Sequence, residues 1–234
     1  TCDMKGFLAL ALAAVPDLAA RPLGKPVHLA FSYDEEVGCL GAPDMIRAIA
    51  AELPRPAMVV VGEPSNMEAV CGHKGIATFR VTVRGHEAHS SQTQLGISAV
   101  MEAVRLMASL SALAERLERQ ADPASPFTPK HATLTIGQVH GGTAVNILAR
   151  ECVFLFDLRC PPGMDPEAVL ADFFAEASAA DAAMKARFPQ AGVEIARRSN
   201  TPAFAPETDG AAEALARRLA GDNGPRRVVG YAAE

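Results

Sequence analysis

The sequence lacks the features that mark several common classes of protein. It has no run of basic residues, and its 22 basic side chains are outnumbered by 27 acidic ones, which gives no reason to expect nucleic-acid binding. No apolar run reaches the roughly 18 residues that a membrane helix needs. The five cysteines are odd in number and none is spaced as C-x-x-C, which argues against a disulfide framework and a cysteine zinc ribbon. The compartment that this pattern favours is the reducing cytoplasm.

The composition is that of a folded globular protein. Of the 234 residues, 49% are hydrophobic and 21% are charged, so a disordered chain is not expected, and the length allows one or two domains. Residues 4–14 resemble a bacterial secretion signal, with a basic start, a short apolar core and small residues. Against a secretion signal, the sequence begins at Thr1 and not at a methionine, three residues ahead of Met4, and its end interrupts a strand-like run, which suggests a segment cut from a longer protein.

The two ends of the sequence have the pattern of an α/β layer. Helices are expected over residues 6–20, 42–53 and 209–220, and buried strands over the apolar runs at residues 27–33, 57–61 and 227–231. Helices and strands that alternate at this spacing predict a largely parallel sheet.

Between these segments the pattern changes to that of an antiparallel sheet with one wet face. Residues 76–84 alternate, with Ala77, Phe79, Val81 and Val83 on one face. Further strands are expected over residues 132–140, 151–159 and 192–198, and helices over residues 97–119 and 165–187, the first of them with Val100, Val104, Met107 and Leu110 on one face. The resulting β-α-β-β-α-β order is that of a ferredoxin-like fold with two helices on one face of the sheet. The predicted fold class is therefore an α/β domain with a mostly parallel mixed sheet, incomplete here, interrupted by an inserted α+β domain.

Four carboxylates lie where elements of the α/β layer begin or end. Asp3 precedes the first helix, Glu35 and Glu36 follow the first predicted strand, and Glu63 follows the second. Ligands gather at the carboxyl ends of strands in open α/β sheets, and carboxylates that lie close together repel unless a cation joins them. A divalent metal site is one interpretation. The other is a helix cap at Asp3 and solvated turns at the glutamates, and the residue types alone leave both open.

Five motifs in a fixed order resemble the co-catalytic zinc metallopeptidase and deacylase family of acetylornithine deacetylase, succinyl-diaminopimelate desuccinylase and aminoacylase. They are residues 1–6 (TCDMKG), 34–38 (DEEVG), 62–65 (GEPS), 73–75 (HKG) and 85–91 (GHEAHSS). The resemblance continues through Gly141-Gly142, Asn146 and residues 157–159. It implies a catalytic domain over residues 1–73 and 201–234, and a lid or dimerisation domain over residues 74–200.

The resemblance also implies a metal site and a catalytic base. Asp3 would bridge two Zn²⁺ ions, for which Co²⁺ is a possible substitute, while Glu36 would bind one ion and Glu63 the other. Glu35 would be the general base, and the Asp3–Met4 peptide bond would be cis. The family's two histidine ligands are expected outside this sequence, so these 234 residues alone are expected to bind zinc poorly and to turn over little or no substrate.

The lid would supply further groups. By resemblance, His89 would stabilise the oxyanion in the partner subunit's site, whereas Asn146 and Arg159 would bind the substrate's carboxylate end. His86 is read as a neighbour of His89. The family's lids commonly pair two subunits, so a homodimer is implied.

The family acts on N-acyl amino acids. The resemblance is strongest to acetylornithine deacetylase, chiefly through residues 1–6, 62–65 and 73–75, and it implies N-acetyl-L-ornithine as the substrate, hydrolysed to ornithine and acetate in arginine biosynthesis. The alternatives within the family are the desuccinylase, an aminoacylase or a related peptidase. A different class of function is a non-catalytic dimerisation or binding module that reuses the lid.

Overall fold

The structure is a computed structural model that describes residues 3–233. Thr1 and Cys2 of the first motif lie outside the described residues, as does Glu234. The helices are α1 (Lys5–Ala13), α2 (Val15–Ala19), α3 (Ala42–Glu52), α4 (Ala99–Arg119), α5 (Pro166–Arg187) and α6 (Ala211–Ala220). The strands are β1 (Val70–His73), β2 (Gly75–Arg84), β3 (Thr133–Gly141), β4 (Glu151–Cys160), β5 (Gly192–Thr201) and β6 (Arg227–Val229).

The described chain divides into two compact units. The first contains the residues up to Gly72 together with Ala205–Val228 and Ala233, and the second contains His73–Phe204 and Val229–Ala232. The first unit is thus interrupted in sequence by the second, as the predicted fold class requires. The domain bounds expected from the sequence stay a prediction.

Two strands predicted in the first unit are not formed. Residues 27–33 and 57–61 are not assigned to any strand, and their large side chains are exposed, with Phe31 at 46% and Val59 at 64%. A strand needs a neighbouring segment that pairs with its backbone N–H and carbonyl groups. No segment within residues 3–233 pairs with either run in a ladder, so the prediction from the apolar pattern was wrong here.

Strands β1 and β6 pair in a two-stranded sheet. The Cys71 thiol donates a hydrogen bond to the carbonyl of Arg227 at 3.2 Å, and the backbone N–H of Lys74 donates to the carbonyl of Val229 at 3.1 Å. Residue numbers rise together along the two strands, so they run parallel. The strand predicted over residues 227–231 is therefore present but shorter.

The second unit is built on a four-stranded antiparallel sheet in the order β3-β4-β2-β5. Along the chain its elements follow as β2-α4-β3-β4-α5-β5. This combination of chain order and spatial order is the ferredoxin-like arrangement, which confirms the fold predicted for the inserted domain.

One face of this sheet carries the hydrophobic core, and both α4 and α5 pack on it. Phe79 of β2 stacks on Phe156 of β4 with 5.1 Å between ring centroids, and Phe173 of α5 meets Phe156 edge-on at 5.5 Å. The alternation predicted for β2 is confirmed, because Ala77, Phe79, Val81 and Val83 are all at most 3% exposed. Polar side chains therefore lie on the other, helix-free face.

Helix α4 is positioned by a cap and a buried stripe. The Ser98 hydroxyl accepts a hydrogen bond from the backbone N–H of Met101, which satisfies one free donor of the first turn. The predicted apolar face was partly wrong, since Val104 is 47% exposed. The buried stripe consists of Ala99, Ala103, Leu106, Leu110, Leu113 and Leu117. Both sets have helical spacing, and periodicity alone does not choose between adjacent stripes.

Candidate active-site residues

Glu35 and Glu36 lie in a one-turn 3-10 helix, Glu35–Val37. Asp34 precedes this turn with φ = 59° and Gly38 follows it with φ = 113°. Aspartate tolerates the left-handed region better than most residues and glycine adopts it freely, so the local sequence fits a tight turn. The turn leaves Glu36 exposed and Glu35 half-buried.

Asp3 lies just before the start of α1, and Glu63 lies in a loop beside that helix. Asp3 is exposed, and the Asp3–Met4 peptide bond is cis, as the family resemblance implies. A Cβ atom at Gly62 would collide with the ring of Phe7 on α1, so a larger residue here would require that ring to move. This close approach sets the loop that carries Glu63 against the helix that begins two residues after Asp3.

The structure does not gather these carboxylates into a metal-binding group. Within residues 3–233, no three His, Cys, Asp or Glu side chains are arranged so that they could hold a metal ion. The Sγ atom of Cys39 lies 3.9 Å from Oε1 of Glu35. The three predicted ligands are all carboxylates. Their oxygens are a donor type that zinc accepts, but the assignment of Asp3, Glu36 and Glu63 as ligands rests on the resemblance and stays a prediction.

His89 and Asn146 lie together on paired loops of the second unit. The backbone N–H of Ser90 donates to the Asn146 carbonyl at 2.9 Å, and His89 forms a β-bridge with Ile147. Nδ1 of His89 lies 2.8 Å from the Ser91 hydroxyl and accepts the Ser91 backbone N–H at 3.3 Å. An imidazole that accepts at Nδ1 carries its proton on Nε2 in the neutral form. That N–H is the donor that stabilisation of an oxyanion requires.

Arg159 lies near the other end of β4, on the helix-free face. Its Nε donates a hydrogen bond to Oδ2 of Asp157 at 2.7 Å, and the two side chains are 30% and 34% exposed. Sequence reasoning did not single out Asp157. The signal that could have found it is the spacing, because residues two apart on a strand lie on the same face.

The register of the sheet separates Arg159 from His89 and Asn146. Arg159 lies opposite Ile76 at the start of β2, while Arg84, eight residues later, lies opposite Glu151 at the start of β4. Eight residues of strand span about 27 Å at about 3.4 Å per residue. His89 and Asn146 belong to the loops that follow Arg84 and precede Glu151, so they lie beyond the end of this ladder that is opposite Arg159.

Other residues of the motifs have structural contacts. The ring of His86 stacks on Phe188 with 4.2 Å between centroids. Lys74 is 1% exposed, and its ammonium donates to the carbonyls of Pro129 at 2.8 Å and His131 at 2.7 Å. Burial lowers the pKa of Lys74, and burial also raises the pKa of the Cys160 thiol to about 11.

The four cysteines within residues 3–233 are free thiols. In the same range, no helix combines the length and the apolarity required to cross a membrane. The cytoplasmic location inferred from the cysteine pattern stays a prediction.

Comparison with known proteins defines the class. The family model of the peptidase dimerisation domain matches residues 71–185, which include α4, most of α5 and three strands of the ferredoxin-like sheet. The chain belongs to the family of peptidases and deacylases that includes acetylornithine deacetylase. Members of this family are generally metal-dependent.

Acetylornithine deacetylase from Myxococcus xanthus is 38% identical over 168 residues, which cover 72% of this chain and 43% of the relative. The enzyme of the same name from Yersinia pseudotuberculosis serotype O:1b is 36% identical over 166 residues, or 70% of this chain and 41% of the relative. The chain thus spans about two fifths of the length of these curated relatives.

Among solved structures, a hydantoinase/carbamoylase-family amidase from Burkholderia vietnamiensis resembles the chain with a TM-score of 0.50 at 20% identity. The match covers 71% of this chain and 37% of that one, and concerns the fold alone.

Proposed function

We propose that the chain is part of a metal-dependent hydrolase that cleaves the amide bond of an N-acyl amino acid, with N-acetyl-L-ornithine as the substrate and ornithine and acetate as the products. The observation that carries this proposal is the 38% identity over 168 residues to an acetylornithine deacetylase. The reaction would serve arginine biosynthesis.

The proposed chemistry assigns a role to each carboxylate. Asp3, Glu36 and Glu63 would hold two zinc ions, together with two histidines that the family resemblance places outside these residues. Zinc, when bound, supplies a water molecule that is acidic near neutral pH. Glu35 takes a proton from water and delivers it to the leaving amine. A carboxylate suits this task because the same oxygen can accept and then return a proton.

The two ends of the second unit support a division of labour between two copies. We assign His89, through its Nε2–H, to the oxyanion that forms at the amide carbon, and assign Asn146 and Arg159 to the substrate's carboxylate end. In one copy, Arg159 lies at one end of the β2–β4 ladder and His89 lies in the loop beyond the other end, with about 27 Å of strand between the two ends. A single substrate would therefore meet His89 of one subunit and Arg159 of the other. The match to a dimerisation domain supports a homodimer.

Hydrolysis assays on the full-length protein test the proposal. N-acetyl-L-ornithine, N-succinyl-diaminopimelate and other N-acyl amino acids are supplied in turn with Zn²⁺ or Co²⁺, and the released amine is measured. We expect cleavage of acetylornithine, and we expect the Glu35→Gln variant to lose at least about 100-fold in kcat, because the general base is removed. Glu52→Gln on α3 is the matched control, since Glu52 is also an acidic residue of the first unit but is exposed on a helix.

Preference for N-succinyl-diaminopimelate would identify the enzyme as a desuccinylase instead of a deacetylase. Preference for another N-acyl amino acid would identify it as an aminoacylase. No hydrolysis of any substrate by the metal-loaded protein, or full activity of Glu35→Gln, would refute the enzymatic proposal. A dimerisation or binding module would then be the better description.

A further inference from the structure

We infer that Asp157 is a positioning residue that fixes the guanidinium of Arg159, so that a substrate carboxylate pairs with one defined edge of it. This inference rests on the proposed function, because it takes Arg159 as the group that binds the carboxylate. It adds a residue to that site and restricts the geometry of binding.

The hydrogen bond between the two side chains decides which edge remains. A guanidinium offers two edges with parallel N–H groups, one formed by Nε and an Nη and the other by the two Nη atoms. Asp157 accepts from Nε at 2.7 Å. No residue within residues 3–233 accepts a hydrogen bond from either Nη atom of Arg159. The Nη1/Nη2 edge is therefore the one that a carboxylate can pair with in a bidentate manner.

The environment of Asp157 indicates that its contact with Arg159 is not an incidental surface pair. Asp157 lies opposite Thr78 of β2 and Thr135 of β3, in the interior of the sheet. Its Oδ1 atom is buried and has no hydrogen-bond partner in the described chain, and the Thr78 hydroxyl bonds to Ser199 instead. A buried carboxylate oxygen without a donor is unfavourable. The hydrogen bond of Oδ2 to Arg159 is the favourable contact that offsets this cost.

Two effects of Asp157 on ligand binding oppose each other. Its negative charge repels an incoming carboxylate, whereas its hydrogen bond orders a long side chain that would otherwise sample several rotamers. Both side chains are about one third exposed, so solvent and salt screen the repulsion. Solvent and salt do not weaken the ordering of the Arg159 side chain to the same extent, and we therefore expect this ordering to outweigh the charge repulsion.

Paired substitutions in the full-length protein separate positioning from charge. Asp157→Ala removes both the acceptor and the charge, whereas Asp157→Asn removes the charge and keeps an oxygen that can accept from Nε. We expect Asp157→Ala to raise KM for the acyl amino acid about tenfold with kcat changed less than about threefold, and Asp157→Asn to keep KM within about threefold. In an Arg159→Ala background, Asp157→Ala should have no further effect on KM.

The matched control is Glu194→Ala. It removes the ion pair of Glu194 with Arg84, which is 2.9 Å long and lies on the same sheet, although it joins two strands whereas Asp157 and Arg159 both belong to β4. We expect no change in KM. Equal KM values for Asp157→Ala and Asp157→Asn, or an undiminished effect of Asp157→Ala in the Arg159→Ala background, would overturn the inference.

A spectroscopic readout does not depend on turnover. The Nε–H resonance of Arg159, assigned by its loss in Arg159→Lys, should exchange slowly with solvent in the unsubstituted protein and in Asp157→Asn, but rapidly in Asp157→Ala. N-acetyl-L-ornithine added to the Glu35→Gln variant should shift the Nη resonances more than the Nε resonance. Failure of hydrolysis with these exchange rates intact would refute the proposed function and leave the pairing established, whereas rapid Nε–H exchange in the unsubstituted protein would refute the pairing itself.

Discussion

Replacement of Lys74 by methionine tests whether a buried ammonium group holds part of the second unit in place. Lys74 is 1% exposed and donates to the carbonyls of Pro129 and His131 at 2.8 and 2.7 Å. Those carbonyls belong to the connection between α4 and β3, so the ammonium ties the residue before β2 to that connection. Methionine has a similar length and volume, so the substitution removes the donor while it leaves little cavity.

The expected magnitude follows from two opposing terms. Each carbonyl left without its donor costs about 1–3 kcal/mol. Removal of the charge recovers part of the cost of burying it, a cost that the lowered pKa of Lys74 also reflects. We expect a net loss of about 1–3 kcal/mol in the free energy of unfolding. Urea denaturation followed by far-UV circular dichroism measures it, since the sequence has no tryptophan for fluorescence.

The matched control is Lys130→Met. Lys130 lies in the same connection and donates to the Pro123 carbonyl at 2.7 Å, but it is exposed, so we expect a change of at most about 0.5 kcal/mol. Equal stability of Lys74→Met and the unsubstituted protein, or an equal loss in both variants, would refute the reasoning.

The pH dependence of the Lys74 effect has a definite sign. Burial lowers the pKa of Lys74 in the fold, so below the ordinary lysine value of about 10.4 the unfolded chain binds more protons than the folded one. Lys74 therefore adds stability as pH rises through this window, and the methionine variant lacks that gain. The raised pKa of Cys160, about 11, acts in the opposite direction, and the charge of Lys74 lowers that pKa, so the difference between the two proteins reports on Lys74 together with its coupling to Cys160.

Two further substitutions test the core and an acidic contact. Phe156→Ala should cost about 3–5 kcal/mol in the same urea assay, because Phe156 is 2% exposed and contacts two other rings. Its control, Val139→Ala, changes a site that is 49% exposed and should cost under about 1 kcal/mol. Equal losses in the two variants would contradict the core assignment. Hydrogen bonds from the backbone N–H groups of Ala69 and Gly224, with Arg227 nearby, lower the pKa of Asp222 to about 2. A lowered carboxyl pKa adds stability above about pH 4 that is lost as pH falls toward 2, so the advantage of the unsubstituted protein over Asp222→Asn should shrink across this range in acid titrations; a constant difference would refute the assignment.

The fold of the second unit could be predicted because its signals are local. Alternation in β2 and β4 fixed which side chains face the core, and the order of elements left few topologies open. The exact stripe of α4 could not be predicted, because Val104 and Leu106 both belong to helical series and only packing on the sheet selects between them.

The strands of the first unit could not be predicted from apolar runs. Residues 57–61 contain three consecutive valines, a sequence typical of a buried strand, yet Val59 and Val60 are 64% and 58% exposed. Strand formation depends on the partner that supplies the other half of each hydrogen bond, and that partner is not a property of the run itself. Local patterns therefore predict a tendency to extend, and pairing decides whether a strand forms.

The candidate site shows the same division between residue type and placement. Sequence motifs could nominate His89, Asn146 and Arg159, because each type suits a step of amide hydrolysis. They could not give the distance between the residues, which depends on the strand register that sets Arg159 opposite Ile76 and Glu151 opposite Arg84. An acyl amino acid is far shorter than the roughly 27 Å of strand between the two ends of this ladder. If the three residues serve one substrate from two copies of the chain, dilution below the dimer dissociation constant should abolish hydrolysis while each lid stays folded.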